Sequence, residues 1–325
     1  MKILKHQQAT QITQEAVQKL AGYILKYGLK SLVEGVSGGI DSAILAAIME
    51  RTQAYLAKLD YHIDTHYYFL DCNSKPFDRE RADALATKLG FLLEYVDLSY
   101  VYDTPLVQFA RVHAQTERDF RVARGNAACR ERMKFLYQAA LLFKGIYPDT
   151  DDLSEEWMRF WTLKGDEGNV KLFQHFTKRE MYDLGEYLGV PQIILDSAPG
   201  DGLNVTEANA ASDQLGLQYE STDYIVSRFV ENGFNGTNDD MENGEYVQLS
   251  STKFRTLMAV VAGEIGTTQE TVHKVLTQVL RYAFKVKAGD SAVHLLTAHD
   301  RVRFGLPEIG TPEFSSLYRE LAQVR

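Results

Sequence analysis

The chain has 325 residues, 45% hydrophobic and 24% charged, a balance that excludes disordered, collagen-like and membrane-embedded chains. Its 35 basic against 44 acidic side chains leave a formal charge of −9, with no basic stretch able to follow a nucleic-acid backbone, so no DNA or RNA partner is expected. Two cysteines, Cys72 and Cys129, are too few for a disulfide scaffold or a CxxC metal site, and reduced thiols are expected. The start, Met1-Lys2-Ile3-Leu4-Lys5, lacks a signal-like apolar region, and no window reaches the roughly 18 apolar residues of a spanning helix; a cytoplasmic chain with no membrane partner is expected.

Ile12, Ala16, Leu20, Ile24 and Tyr27 recur at helical spacing and predict an amphipathic helix over about 10–28, ending near Gly28. Residues 31–36 read as a strand that runs into Ser37-Gly38-Gly39, and 42–49 as a helix with a buried face. A second strand is expected over 62–70, a helix over 79–89 closed by Gly90, and a third strand over 91–96. Strands alternating with helices imply a parallel sheet with right-handed crossovers. The helix expected over 126–143 carries Met133, Leu136, Tyr137 and Ala140 on one face, and Ile146-Tyr147 reads as a fourth strand weakened by Pro148. Thr177-Lys178-Arg179-Glu180 is a capping box opening a helix that buries Met181, Leu184 and Leu188 and stops at Gly189 before Pro191. Asn, Gly and Asp crowd residues 231–246, which read as a mobile loop; 247–325 read as helical, with a second capping box at Thr267-Thr268-Gln269-Glu270 and Val272, Val275, Val279 and Tyr282 on one side. Residues 1–325 are accordingly expected to form a single α/β domain, a parallel sheet flanked by helices with helical terminal additions.

Gly35-Val36-Ser37-Gly38-Gly39-Ile40-Asp41-Ser42 stands where the first strand hands over to a helix, so its backbone N–H groups offer a phosphate site. No Lys precedes the Ser of a Walker A loop, and the third glycine of the dinucleotide fingerprint is missing. The segment does match G-x-S-x-G, which makes an α/β-hydrolase with Ser37 as nucleophile the rival reading; one helix and one strand before Ser37 are too few for that fold's oxyanion-hole loop. The core Ser37-Gly38-Gly39-Ile40-Asp41-Ser42 resembles the pyrophosphate loop of the ATP pyrophosphatases, which implies their adenine nucleotide alpha-hydrolase-like fold. By that resemblance Gly35, Val36, Ser37, Gly38, Gly39, Ile40, Asp41 and Ser42 bind ATP as co-substrate, and Asp41 holds Mg²⁺.

Downstream segments choose among these enzymes. Gly125-Asn126-Ala127-Ala128-Cys129-Arg130-Glu131-Arg132-Met133 and Asp149-Thr150-Asp151-Asp152-Leu153-Ser154-Glu155 are similar to motifs of the ammonia-dependent NAD synthetases. So, in the same order, are Phe160-Trp161-Thr162, Gly165-Asp166-Glu167-Gly168, Phe176-Thr177-Lys178-Arg179-Glu180, Leu188-Gly189-Val190-Pro191 and Ala198-Pro199-Gly200-Asp201-Gly202-Leu203. The resemblance implies amidation of deamido-NAD⁺ by ammonia through an adenylate, with ATP cleaved to AMP and pyrophosphate and no covalent nucleophile. It assigns Thr150 and Lys178 to ATP, Glu155 with Asp41 to Mg²⁺, and Arg130, Asp166 and Lys285 to deamido-NAD⁺, in a homodimer whose interface completes the dinucleotide site. The plainer readings are a turn for Thr150, a first-turn helix acid for Glu155, a solvated Lys178 and a helix-face ion pair for Arg130.

The chain departs from the family pattern at Leu163, where a Lys is usual, at Val170 for an Asp, at Gly200 for a Thr, and at Phe284-Lys285 for a His-Lys pair. The nucleotide-activating half is thus better matched than the acceptor half, which leaves open a related ATP pyrophosphatase amidating or adenylating another carboxylate. A regulator that binds nucleotide without turnover is disfavoured by the intact Asp41 and Glu155. Without an amidase domain or a Cys near its start, the chain is expected to use free ammonia. Cys72 and Cys129 read as buried thiols, Tyr23, Tyr27 and Trp157 as core, and His62 with His66 as no zinc site.

Overall fold

The computed structural model describes residues 2–200, 203, 205, 206, 210–287 and 292–322. Helix α1 (His6–Tyr27) starts earlier than its apolar spacing predicts, because the Gln8 side chain accepts the Lys5 backbone N–H at 2.9 Å and closes the first turn. It buries Ile12, Ala16, Leu20 and Ile24 and ends on left-handed Gly28. Tyr23 is half-buried and packs against the core as expected, whereas Tyr27 lies on the exposed side. Strand β1 (Ser31–Gly35), helix α2 (Ile40–Ala57), strand β2 (Asp64–Asp71), helix α3 (Pro76–Leu89) and strand β3 (Leu93–Asp97) then alternate. All three strands run parallel, with Val33 opposite His66 and Leu70 opposite Val96. Ala43 to Met49 are fully buried all round α2, as a helix sandwiched between sheet and neighbours must be.

Helices α4 (Pro105–His113) and α5 (Glu117–Leu142) cover the other face of the sheet. The start of α5, at Glu117 rather than Asn126, is set by Thr116, whose hydroxyl accepts the Asp119 N–H at 3.1 Å. Tyr137, read as inward, is exposed and donates its hydroxyl to the Glu167 carbonyl at 2.8 Å. The expected fourth strand shrinks to one bridge, Leu32 to Ile146, after which Pro148 has no N–H to offer. That bridge still extends the sheet. Helix α6 (Leu153–Met158) follows, then strand β4 (Val170–Lys171), whose Val170 carbonyl accepts the Asp149 N–H at 2.8 Å. Helix α7 (Lys178–Leu188) has the predicted bounds, opened by Thr177 and closed by left-handed Gly189.

Short helices α8 (Gln192–Leu195) and α9 (Ala211–Leu215) lead to α10 (Tyr219–Glu231). The segment read as a loop contains a two-residue hairpin, β5 (Met241–Glu242) with β6 (Glu245–Tyr246). Helices α11 (Val247–Ser250), α12 (Thr252–Ile265), α13 (Gln269–Arg281) and α14 (Ala283–Lys287) come next. The N-cap of α13 is Thr268, bonded to the Thr271 N–H, rather than Thr267, and Tyr282 lies outside the buried set of Val272, Val275, Leu276, Val279 and Leu280. Strand β7 (Val293–His294) interrupts the portion read as wholly helical and pairs in parallel with β4, ahead of α15 (Ala298–Arg303) and α16 (Pro312–Arg319). The sheet thus runs β3-β2-β1, the 146–149 segment, β4 and β7, with helices on both faces. A second core joins Leu153, Trp157 and Met158 of α6 to α10, α12, α13 and α16, so Trp157 is core as expected.

Candidate active site

From β1 the chain passes to β2 on one side, whereas the 146–149 segment lies on the other, so the connections after these two neighbours diverge and leave a crevice at the carboxyl end of the sheet. A cavity of about 250 Å³ opens there. Gly35, Val36, Ser37, Gly39, Ile40, Asp41 and Ser42 line one side, and Thr150, Asp151, Glu155 and Asp166 also face it. The turn depends on Gly38, with φ 82° and Asp78 so close that a Cβ would stand 2.3 Å from its carbonyl oxygen. Gly39 caps α2, aiming that helix's N-terminus at the cavity. The Ser37 and Ser42 hydroxyls bond each other at 3.1 Å, and no histidine lines the cavity among the described residues, which removes the hydrolase reading.

Opposite the loop, the ammonium of Lys178 gathers three acids. It donates to Asp41 Oδ2 at 2.8 Å and Glu155 Oε1 at 2.9 Å, and a third ion pair, out of line for a hydrogen bond, joins it to Asp152 Oδ2 at 2.9 Å. Local structure sets this up: Lys178 is the first residue of α7, its N–H held by Ser154 Oγ at 2.8 Å, while Asp152 and Glu155 form the capping box of α6. Lys178 is therefore buried, against the solvated reading, and lies behind the acids rather than in the cavity wall. Burial opposes its charge, but Asp152, Asp41 and Glu155 prevail and hold its pKa well above the usual lysine value. Burial pushes Glu155 well above the carboxylate range and Asp152 to about 6, with Lys178 pulling each back. A neighbouring group joins Lys171 to Asp149 at 3.7 Å and Asp151 at 3.4 Å, and Asp149 also accepts the Asp151 and Gly168 N–H groups.

On the remaining side, Asp166 accepts the Thr162 N–H at 2.6 Å, and the Thr162 hydroxyl donates to Asn126 Oδ1 at 2.7 Å. Arg130 stands outside this cavity, its Nε donating to the Leu163 carbonyl at 3.2 Å, in a groove shared with Leu106, Phe109, His113 and Asn126. Lys285 donates to the carbonyls of Arg159 (2.8 Å) and Trp161 and lies 5.2 Å from the Trp161 and Tyr282 ring centres. Burial lowers its pKa to about 8, although Asp166 and Asp151 oppose the shift. Val170 is fully buried in β4 and lines neither this cavity nor the Arg130 groove, whereas Gly200 lines the cavity; Asp201 and Gly202 lie outside the described residues.

Comparison with known proteins meets this geometry: a sequence profile described as NAD synthase matches residues 12–264. The chain belongs to the NAD synthase family. It is thus an enzyme, a ligase forming a C–N bond. The NH(3)-dependent NAD(+) synthetase of Thermoplasma volcanium is 28% identical over 223 residues, 68% of this chain and 86% of that one. That of Syntrophomonas wolfei subsp. wolfei is 32% identical over 202 residues, 62% of this chain and 77% of its own. Among solved structures, NMN synthetase from Francisella tularensis matches with TM-score 0.57 and 26% identity, covering 70% of this chain and 87% of that one. NAD⁺ synthetase from Burkholderia pseudomallei, at 22% identity and TM-score 0.58 over 86% and 88%, shares the fold.

For a NAD synthase the donor set suits Mg²⁺. Asp41 and Glu155 present hard carboxylate oxygens to the cavity, and Asp41 Oδ1 is buried with no hydrogen-bond partner. Among the described residues no group of three or more His, Cys, Asp or Glu side chains is arranged to hold a metal. Sequence reasoning missed Asp152, whose signal was the D-x-x-E capping spacing to Glu155, and Arg132, which lines the cavity and donates to the Leu70 carbonyl at 3.1 Å. Both cysteines are free and buried, and burial pushes the Cys129 thiol up. His66 stacks on Phe143 at 3.8 Å, and His62 is exposed beside Asp60. No helix among the described residues is long and apolar enough to cross a membrane.

Proposed function

We propose that the chain is an ammonia-dependent NAD⁺ synthetase, amidating deamido-NAD⁺ while cleaving ATP to AMP and pyrophosphate. The supporting observation is that the glycine loop, Asp41, Thr150, Glu155 and Asp166 share one cavity, so a triphosphate at the start of α2 would lie beside the acceptor segment 162–168. The loop N–H groups and the α2 dipole stabilise the charge that grows on the leaving pyrophosphate. Asp41 and Glu155 would hold Mg²⁺, which when bound neutralises phosphate oxygens. Thr150 is assigned to ATP, and Arg130, Asp166 and Lys285 to deamido-NAD⁺; Lys178, behind the cavity wall, serves Asp41 and Glu155 as counter-ion instead of meeting ATP directly. An acceptor carboxylate oxygen attacks the α-phosphorus as the bond to pyrophosphate breaks. Ammonia then attacks the acyl carbon of the adenylate, AMP leaves and the nitrogen loses a proton. No residue serves as covalent nucleophile, and Asp166 keeps the acceptor segment in place through the Thr162 N–H.

This reading includes a cytoplasmic homodimer. Helix α4 exposes Leu106, Phe109 and Val112 beside the Arg130 groove, an apolar face suited to a second copy next to the acceptor. A second reading keeps the chemistry and shortens the acceptor to nicotinate mononucleotide. One departure favours it: Leu163 offers no charge to a second phosphate.

Incubation with Mg²⁺, ATP and ammonium, and either deamido-NAD⁺ or nicotinate mononucleotide, separates these, with Asp41→Ala as the blank and light scattering reporting the mass. NAD⁺ formed in step with pyrophosphate is expected. Product from the mononucleotide alone would select the second reading, intact ATP with both would overturn each, and a monomeric mass would remove the dimer.

A further inference from the structure

We propose that Asp152 is a positioning residue of the metal site, the counter-ion that keeps the Lys178 ammonium beneath Asp41 and Glu155 so that those two carboxylates are free to turn to the cation. This rests on the reading above that Asp41 and Glu155 hold Mg²⁺. The four groups form two layers. The side chains of Asp41 and Glu155 are 21% and 18% exposed and line the cavity, whereas Lys178 at 3% and Asp152 at 0% lie behind them. In this arrangement Lys178 spends its hydrogen bonds on the two outer acids. A cation arriving at the cavity must take both from it, and a buried ammonium stripped of its partners is strongly unfavourable.

Asp152 is placed to prevent that. Its Oδ1 accepts the Glu155 N–H at 3.0 Å, which fixes the carboxyl to the start of α6. Its other oxygen, Oδ2, stands 2.9 Å from the Lys178 ammonium, an ion pair that does not use either outer acid. Without Asp152 the ammonium would compete with the metal for Asp41 and Glu155. Asp152 itself is fully buried and does not line the cavity, so its action is through Lys178.

The test uses Mn²⁺ as probe, its binding followed by electron paramagnetic resonance in the full-length protein with a non-cleavable ATP analogue. Asp152→Asn keeps the side-chain shape and the helix cap, since Asn caps as well as Asp, but removes the charge. Its Mn²⁺ dissociation constant should rise roughly tenfold or more, as when other groups that orient metal ligands are lost. Asp152→Ser, which keeps a cap by a different side chain, should do the same. In Asp152→Asn combined with Lys178→Met the competing ammonium is gone, and affinity should return towards wild type. Wild-type affinity in both single variants would reduce Asp152 to a helix cap and overturn the proposal. Affinity equally weak in the single and double variants would also overturn it, by making Asp152 a direct ligand. Wild-type protein that binds no Mn²⁺ would overturn the metal reading, and this inference with it.

Discussion

At the scale of one residue, Glu34 sits in the middle of β1, fully buried, with neither carboxyl oxygen paired. It alternates with Leu32 and Val36 on the face packed by α1 and α2, where an ionised carboxylate would have neither water nor cation. Burial therefore raises its pKa well above the ordinary glutamate value. Between the ordinary value, which holds in the unfolded chain, and the raised one, the folded protein keeps a proton that the unfolded chain releases. The stability owed to this group accordingly falls as pH rises through that window, by up to about 1.4 kcal/mol per pH unit. Glu34→Gln keeps the shape and abolishes the titration. Thermal melts of both proteins at about pH 5 and about pH 8 should show the variant gaining on wild type at the higher pH, the window that linkage predicts for a raised carboxyl. A constant difference at the two values would mean that Glu34 is not the titrating group.

At the scale of an element, α7 carries Lys178 into the site, and its first turn hangs on Thr177. The hydroxyl accepts the Glu180 N–H and also bonds the fully buried Tyr318 hydroxyl at 2.7 Å, while Glu180 returns a carboxylate oxygen to the Thr177 N–H at 2.9 Å. Thr177→Ala loses the cap, about 1 kcal/mol, and leaves a buried hydroxyl unpaired, roughly 1–3 kcal/mol more. Thr177→Ser keeps both bonds. Urea denaturation should place the Ala variant well below wild type and the Ser variant close to it; equal losses would put the cost in the missing methyl group. The same helix shows why some elements could be read from the sequence. Its cap, apolar spacing and glycine stop all lie within about a dozen residues, and the glycine loop is equally local. The two-residue strands β4 and β7 owe their existence to partners far along the chain, Val170 pairing with Val293, and carry no period of their own. Asp152 was hidden for a related reason: its neighbours in sequence show a turn and a helix start, and its partner Lys178 arrives on another helix.

At the scale of the whole molecule, three apolar clusters among the described residues pack the two faces of the sheet and the later helices, and the site stands where the first of them meets the last. The α/β core packs α1, α2 and α7 on the sheet, whereas the second core packs α10, α12, α13 and α16 around Leu153, Trp157 and Met158 of α6. Helix α6 also supplies Glu155 to the cavity, so the second core holds one of the two acids in place. A further tie joins α15 to α7, where Arg301 and Glu180, both fully buried, share two hydrogen bonds of 2.7 Å. Arg301 also lies 4.9 Å from the ring centre of Phe314 in the second core, so this pair touches both. We therefore propose that the two cores fold as one domain. The chain's two tryptophans, Trp157 and Trp161, stand at or next to the junction and report on it, whereas far-ultraviolet ellipticity reports on all the helices. Leu276→Ala, at a fully buried position of α13 distant in sequence from both tryptophans, should cost about 2–5 kcal/mol. If the cores are coupled, urea transitions followed by fluorescence and by ellipticity coincide in wild type, and the substitution moves both midpoints down together. Separate transitions, or an ellipticity change that precedes the tryptophan signal in the variant, would show that the helical part unfolds on its own and that α6 keeps its place without it.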